Sequence, residues 1–224
     1  MGIHDGHREG LRERFLEHGL DHFQDHNVLE FLLSFCIPRV DTNPVAHRLL
    51  DKFGTLSAVF DAPIEDLLAV QGVGKNTAVF LKAIPQISRR YEISKFGSHK
   101  ILDSTKKAGA FLIPRFYAEQ DEVVYLVCLD AKCKVLNCQL LARGSVNSTN
   151  VNVRRIVERA LVYNASHVIL AHNHPSGIAL PSPEDKVTTR RIQEALAPVG
   201  ITLMDHIIVA DGDFVSLADS GFFK

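Results

Sequence analysis

Cysteine is scarce in this chain: Cys36, Cys128, Cys133 and Cys138 are the only four in 224 residues, and no two of them stand as Cys-x-x-Cys. That excludes a disulfide framework and a thiolate zinc knuckle, and implies reduced, packed thiols. Long apolar runs are missing too. No stretch approaches the ~18 residues of a membrane span, and the opening MGIHDGHREGLRERF carries charge where a secretory signal needs an apolar run. A cytoplasmic protein is the expectation. Neither sign of charge is in excess. The 25 Lys and Arg against 26 Asp and Glu leave a net charge of −1, so any contact with nucleic acid must rest on a local patch. What remains, 46% hydrophobic and 23% charged residues, is the make-up of a soluble globular protein with room for one large domain or two small ones.

Strand-type alternation is absent from the first ninety residues. HREGLRERFLEHG, HNVLEFLLSFCI and NPVAHRLLDKFG place apolar residues at helical spacing and end near Gly or Pro, which predicts a small all-α domain over residues 1–90. SRRYEISKFGSHKILDS, residues 88–104, loses that periodicity and gains charge and small residues, so 91–103 reads as a linker. Beyond it, EVVYLVCLD and KCKVLNCQLLARG form a predicted hairpin turning near Asp130-Ala131. VNVRRIVERALVYNA is a predicted helix, SHVILAHN a short buried strand, and SPEDKVTTRRIQEALAPVG a second helix. ITLMDHIIVADGDFVSL reads as strand, Asp-Gly turn, strand. Interleaved strands and helices predict an α/β domain over 104–224.

IEDLLAVQGVGKNTAVFLKAI, residues 64–84, holds Gly72-Val73-Gly74 and Lys75 between two apolar helical segments. The glycines permit a tight turn with positive φ, and the amides opening the second helix can bind an anion such as phosphate. The pattern resembles the helix-hairpin-helix motif, which grips a nucleic-acid backbone without reading sequence. The alternative is an αα-hairpin whose turn needs glycine and nothing more. Residues 1–90 carry ten Lys and Arg against twelve Asp and Glu. Counterion release therefore contributes little beyond Lys75 and neighbours such as Arg89 and Arg90, and weak DNA binding or a protein partner is expected.

In LAHNHPSGIALPSPED, residues 170–185, His172 and His174 end a strand pattern, so both project to one side and Asn173 to the other. Ser182, Pro183, Glu184 and Asp185 are by themselves a helix start. Beside the His pair they acquire a second meaning. Two imidazoles and the Asp185 carboxylate make three positions of a tetrahedral zinc site and leave one for water, the catalytic arrangement. A His-x-His-x7-Ser-x2-Asp string arises by chance roughly once in five hundred chains of this composition, which makes the signal specific.

That string resembles the JAMM (MPN) metallohydrolase signature, and the resemblance implies His172, His174 and Asp185 as ligands of Zn2+ with Ser182 as a catalytic hydroxyl. It also implies a glutamate upstream at the start of a strand passing the metal, here Glu122, as general base. Read from its position alone, Glu122 is a solvated strand-edge acid like Glu119 and Asp121. GSVNSTNVNVRRIVERALVYNASHVILAHNHPSG, PSPED and LMDHIIVADGDFVSL are similar to the RadC family, in which such a domain follows an N-terminal helix-hairpin-helix region. Asn173 stands where peptidase members usually carry Ser or Thr, and suits RadC. The resemblance implies a JAMM/MPN-like, cytidine-deaminase-like sheet with flanking helices. It also implies hydrolysis of an amide or isopeptide bond in a peptide or protein substrate, with a link to DNA repair.

A metal-dependent nuclease and a non-catalytic DNA-binding adaptor remain alternatives. Ligands for one ion rather than two weigh against the first, and the open fourth position against the second. Asp205-His206 reads as a structural Asp–His hydrogen bond or as a contact behind the site, and is left outside it. His4, His7, His18, His22 and His26 read as solvated helix faces. Arg154 and Arg155 read as a solvated helix start.

Overall fold

The computed structural model describes residues 5–95, 100–144, 152–175 and 177–223. His4, linker residues 96–99 and most of the Asn-rich stretch, 145–151, lie outside the described residues. The chain forms two compact units, residues 1–88 and 89–224.

The first unit is helical: α1 (Asp5–His18), α2 (Asp25–Cys36), α3 (Asn43–Phe53), α4 (Leu56–Asp61), α5 (Ile64–Leu68) and most of α6 (Lys75–Ser94). Leu29 and Leu33, Val45 and Leu49, and Ala78 and Leu81 stand three or four residues apart, so each pair shares one helix face and meets the others in a single core. Helix boundaries follow local chemistry. Pro44 sits in the first turn of α3, Gly54 closes it at φ +87°, and the Thr55 hydroxyl caps α4 by accepting the Ala58 N–H. His7 is exposed, in keeping with a solvated helix face, and also hydrogen-bonds the buried Glu30 carboxylate at 2.7 Å. The expected linker also begins later than its composition suggested. Although Pro85 removes one helical hydrogen bond, α6 continues to Ser94.

The turn between α5 and α6 depends on one of its two glycines. Gly72 adopts φ +95°, and a Cβ there would lie 2.8 Å from Val45 Cγ2, whereas Gly74 stays outside the left-handed region. Val73 is buried in the helical core, and its N–H donates to the Val70 carbonyl. From α3, Arg48 donates to the Gln71 carbonyl at 3.0 Å and Lys52 to the Asp66 carbonyl at 2.7 Å.

The second unit begins with the end of α6, where Arg89 pairs with Glu119; Arg143 reaches the same carboxylate at 2.9 Å. The order then runs α7 (Thr105–Phe116), β1 (Val123–Leu129), β2 (Val135–Arg143), α8 (Val153–Val162), β3 (His167–Asn173), α9 (Pro183–Leu196), β4 (Thr202–Ala210) and β5 (Asp213–Ser216). The five strands form one mixed sheet, β2-β1-β3-β4-β5, in which only β3 and β4 are parallel. VVYLVCL and the VILA centre of β3 lack polar alternation because both sheet faces are covered. Val124, Leu126, Val168 and Leu170 pack with Ile156 of α8 and Ile192 of α9, while Val123, Val127, Ile169 and Ile207 pack with Phe111 and Leu112 of α7. The sequence reading assigns no element to 105–116; burial of Ala108, Phe111, Leu112 and Phe116 holds a helix there although Pro114 lies inside it. All four cysteines are free thiols, and burial pushes the Cys128 thiol up to about 11, which keeps it protonated and inert. No helix among the described residues is long and apolar enough to cross a membrane.

Two features of this topology place a site. The crossover from β3 to the parallel β4 runs through α9, so the amino end of α9 stands beside the carboxyl end of β3, where open α/β sheets hold ligands. Because β1 is antiparallel to β3, the start of β1 reaches that same end. Gly72→Ala, which combines a forbidden φ with the Val45 contact, should cost about 1–3 kcal/mol in chemical denaturation of the full chain.

Candidate metal centre

His172 is the penultimate residue of β3 and faces the α8/α9 side of the sheet with Val168 and Leu170. His174 follows the strand, its N–H held by the Val209 carbonyl of β4 at 2.9 Å. The chain then turns back, with Gly177 at φ +84° passing so close to Asp211 that a Cβ would lie 2.7 Å from its carboxylate oxygen. Ser182 caps α9 and Asp185 occupies its third position. The Ser182 hydroxyl and main-chain N–H both donate to Asp185 Oδ2, at 2.6 and 2.8 Å, and the Asp185 N–H donates back to Ser182 Oγ at 3.0 Å. This reciprocal cap holds Oδ2 and leaves Oδ1 to face His172.

The three side chains converge. His172 Nε2 lies 2.9 Å from His174 Nε2 and 3.2 Å from Asp185 Oδ1, and His174 Nε2 lies 3.5 Å from Asp185 Oδ2. Ligand atoms from all three fall within 4.8 Å of one another, and His172 and Asp185 are buried. His174 Nδ1 donates to the Ile178 carbonyl at 3.0 Å, which turns Nε2 towards the other two side chains. Burial opposes charge on Asp185, but His172 and the two Ser182 donors outweigh it and hold the carboxyl well below its ordinary range. Two imidazole nitrogens and an ionised carboxylate oxygen, desolvated and directed at one point, are the donor set of a divalent transition metal.

Glu122 stands one residue before β1, its carbonyl accepting the Gly144 N–H at 3.1 Å. Continuing the strand alternation, it projects to the face of Val124 and Leu126, which is also that of His172. Burial raises its carboxyl above the ordinary value; the charges of His172 and His174 draw it down and that of Asp185 pushes it up. It is therefore half-buried and electrically coupled to the cluster, unlike Glu119, whose carboxylate is spent on two arginines. Asn173 clasps the peptides on either side of Glu122: Val123 N–H donates to its Oδ1 at 2.7 Å, and its amide nitrogen donates to the Asp121 carbonyl at 3.0 Å. The backbone register of β1 and β3 ends at Val124 and His172, so this side chain takes over where the ladder stops.

The family profile described as RadC-like JAB domain matches residues 102–222, and one described as UPF0758 N-terminal matches residues 6–79. The chain belongs to the RadC-like JAB domain family. Curated relatives named UPF0758 protein are similar over most of the chain. That of Ectopseudomonas mendocina (strain ymp) is 39% identical across 80% of each protein, and that of Pseudomonas fluorescens 37% across 80% of each. The relative from Pseudoalteromonas translucida is 36% identical across 87% of each. Membership together with the His172–His174–Asp185 group suggests a JAMM-type metal-dependent hydrolase, and a metal ion for the RadC-like domain.

Of the readings of Asp205-His206, the contact behind the site holds for His206, and the Asp–His ring hydrogen bond does not form. Asp205 accepts from Ser216 Oγ at 2.6 Å and from the His206 main chain, not from its ring. The His206 ring lies on the opposite face and meets His172 Nδ1 at 2.8 Å. In the parallel register His206 pairs with Leu170, whose side chain shares a face with His172, a relation that only the strand pairing supplies. Arg154 pairs with Glu158, and Arg155, exposed at the helix start, also donates to the Leu141 carbonyl at 2.9 Å. Elemental analysis should find a single divalent ion per chain, absent from His172→Ala. Asp185→Ala should lose the ion and also about 0.5–2 kcal/mol of stability, because it removes half of the α9 cap.

Proposed function

We propose that the chain is a zinc-dependent hydrolase that cleaves an amide or isopeptide bond in a peptide or protein substrate. The observation that supports this most directly is the convergence of His172, His174 and Asp185 beside a half-buried glutamate. Two imidazoles and one carboxylate suit zinc, and three protein ligands leave a coordination position open. Zinc bound there supplies Lewis acidity, which acidifies a coordinated water and polarises a carbonyl oxygen.

The remaining steps belong to the protein. Glu122, with its carboxyl raised towards neutrality by burial, accepts the proton of the attacking water and passes it to the leaving nitrogen. Asn173 restrains the peptide groups flanking Glu122 and so limits where its carboxylate can go. Ser182 donates to the developing oxyanion, for which its hydroxyl must turn from Asp185 Oδ2 to the substrate. Binding of a divalent cation at the cluster would favour that turn, because it competes for the charge on Asp185 that now attracts the hydroxyl.

The same reading takes the sheet as cytidine-deaminase-like and the 69–75 turn as a helix-hairpin-helix that makes a weak, sequence-independent contact with nucleic acid. Gly72, Gly74 and Lys75 are exposed at that turn, while the buried Val73 would contribute through its backbone alone. With so few cations at the turn, DNA binding should weaken with salt at a log–log slope of about −1 to −3 in a salt-titrated measurement, and Lys75→Ala should flatten it by about one unit. The hydrolase reading is tested by Glu122→Gln. The variant should retain its metal by mass spectrometry and lose roughly 10²–10⁴-fold in turnover of a quenched fluorescent peptide library. An unaltered rate would remove Glu122 from the reaction.

A further inference from the structure

Among the described residues β2 forms one edge of the mixed sheet. Residues 135–142 read VLNCQLLA, without the charge or proline by which an edge strand ordinarily refuses a second strand. Both ends of that edge are already taken. Lys100 accepts the Val135 N–H and Leu102 donates to the Cys133 carbonyl, each at 2.8 Å, while Arg155 occupies the Leu141 carbonyl. Residues 136–140 stay open, with Leu136 and Leu140, 40% and 37% exposed, at the two limits.

The open window is symmetric: it reads Leu-Asn-Cys-Gln-Leu, an amide on each side of Cys138 and a leucine beyond each amide. Val123 and Leu129 of β1 direct main-chain groups to the β3 side, where Asn173 and Ser166 bond them. By alternation Leu126 and Cys128 bond β2, so their partners Gln139 and Asn137 turn main-chain groups inwards and Cys138 turns its own outwards. The Asn137 and Gln139 side chains share the α8/α9 face with Cys128 and Leu126. There Asn137 Oδ1, an acceptor, and Gln139 Nε2, a donor, are buried with no hydrogen-bond partner. Such atoms cost stability until they are paired.

We propose that residues 136–140 are the contact of a symmetric dimer, in which β2 of a second copy of this chain adds antiparallel about Cys138 and joins two five-stranded sheets. In that register the two Cys138 residues exchange main-chain hydrogen bonds. Asn137 stands opposite Gln139 of the second copy, at the closer spacing of a pair without main-chain bonds. A turn of both side chains towards the edge then joins the unpaired acceptor of one to the unpaired donor of the other, twice over. Each amide carries a donor and an acceptor, so the pairing survives either orientation of the group. Leu136 meets Leu140 of the second copy, which covers both exposed leucines. A second copy fits better than an unrelated strand, because every residue of the window finds its complement within the same window, as a two-fold contact requires. The register shift at Leu141 bends each strand away from the 100–102 segment of the other. Nothing in the dimer depends on the metal reading.

Five residues of ladder bury less than a standard interface, so association should be weak and concentration-dependent. Sedimentation of the full chain should show a monomer–dimer equilibrium at or below about 1 mM. Leu136→Glu and Leu140→Lys, both at positions exposed in the single chain, should each weaken it roughly 10-fold, since a charge then faces leucine at two places. Mixing the two variants should restore association, because the introduced charges of opposite sign face each other across the strands. A wild-type chain that stays monomeric at that concentration overturns the proposal. So does a dimer that neither substitution weakens, or a mixture that associates no better than either variant alone, because each puts the contact elsewhere or in another register.

Discussion

His172, His174 and Asp185 press two imidazole nitrogens and a carboxylate towards one point, and the second unit is organised around that point. His172, His174 and Asp185 come from a strand end, a turn and a helix start, and each is held by contacts of its own rather than by the others. β3 lies between β1 and β4, the turn hangs from Val209 and Ile178, and α9 is capped by Ser182. A positive charge at the centre relieves the mutual repulsion of the donors, so binding free energy and local stability are linked.

Asp185 has two functions at once. One of its oxygens completes the cap of α9 and the other faces His172, so the geometry of the cap sets the geometry of the ligand. Ser182 is bound into the same pair. Helix capping and metal ligation are therefore not competing explanations of Ser182 and Asp185. The cap orients a carboxylate that would otherwise have several rotamers, and the helix positive end favours its ionised form.

The interior behind the cluster is polar where an α/β sheet is ordinarily apolar. Thr189, His206 and Asn173 are all buried, and each finds partners for its polar atoms. A satisfied buried network costs little and restricts the arrangement to one, which an apolar core of equal volume does not do. Asn173 illustrates the point: where the ladder between β1 and β3 ends, its amide bridges the gap and sets the start of β1, the segment that bears Glu122.

Most of the secondary structure was legible because both periods were clean: helical spacing in α2 and α3, and unbroken apolar runs in β1 and β3. So was the histidine–aspartate string, since its members are close in the chain and the helix-start chemistry of Ser182 and Asp185 fixes their relation to the preceding strand. Helix α7 was not, because burial against the sheet, which local sequence does not display, holds it together around Pro114. The last turn of α6 was not, because SRRYEISKFGSHKILDS loses its helical periodicity before the helix ends at Ser94. His206 and Asn173 escaped for a deeper reason. A residue's neighbours across a sheet depend on strand order and register, and neither is written in local periodicity. Residue type and spacing thus determined which groups are available for chemistry; the pairing of β3 with β1 on one side and β4 on the other decided which of them meet, because hydrogen bonds reach about 3 Å and only packing brings distant segments within that range.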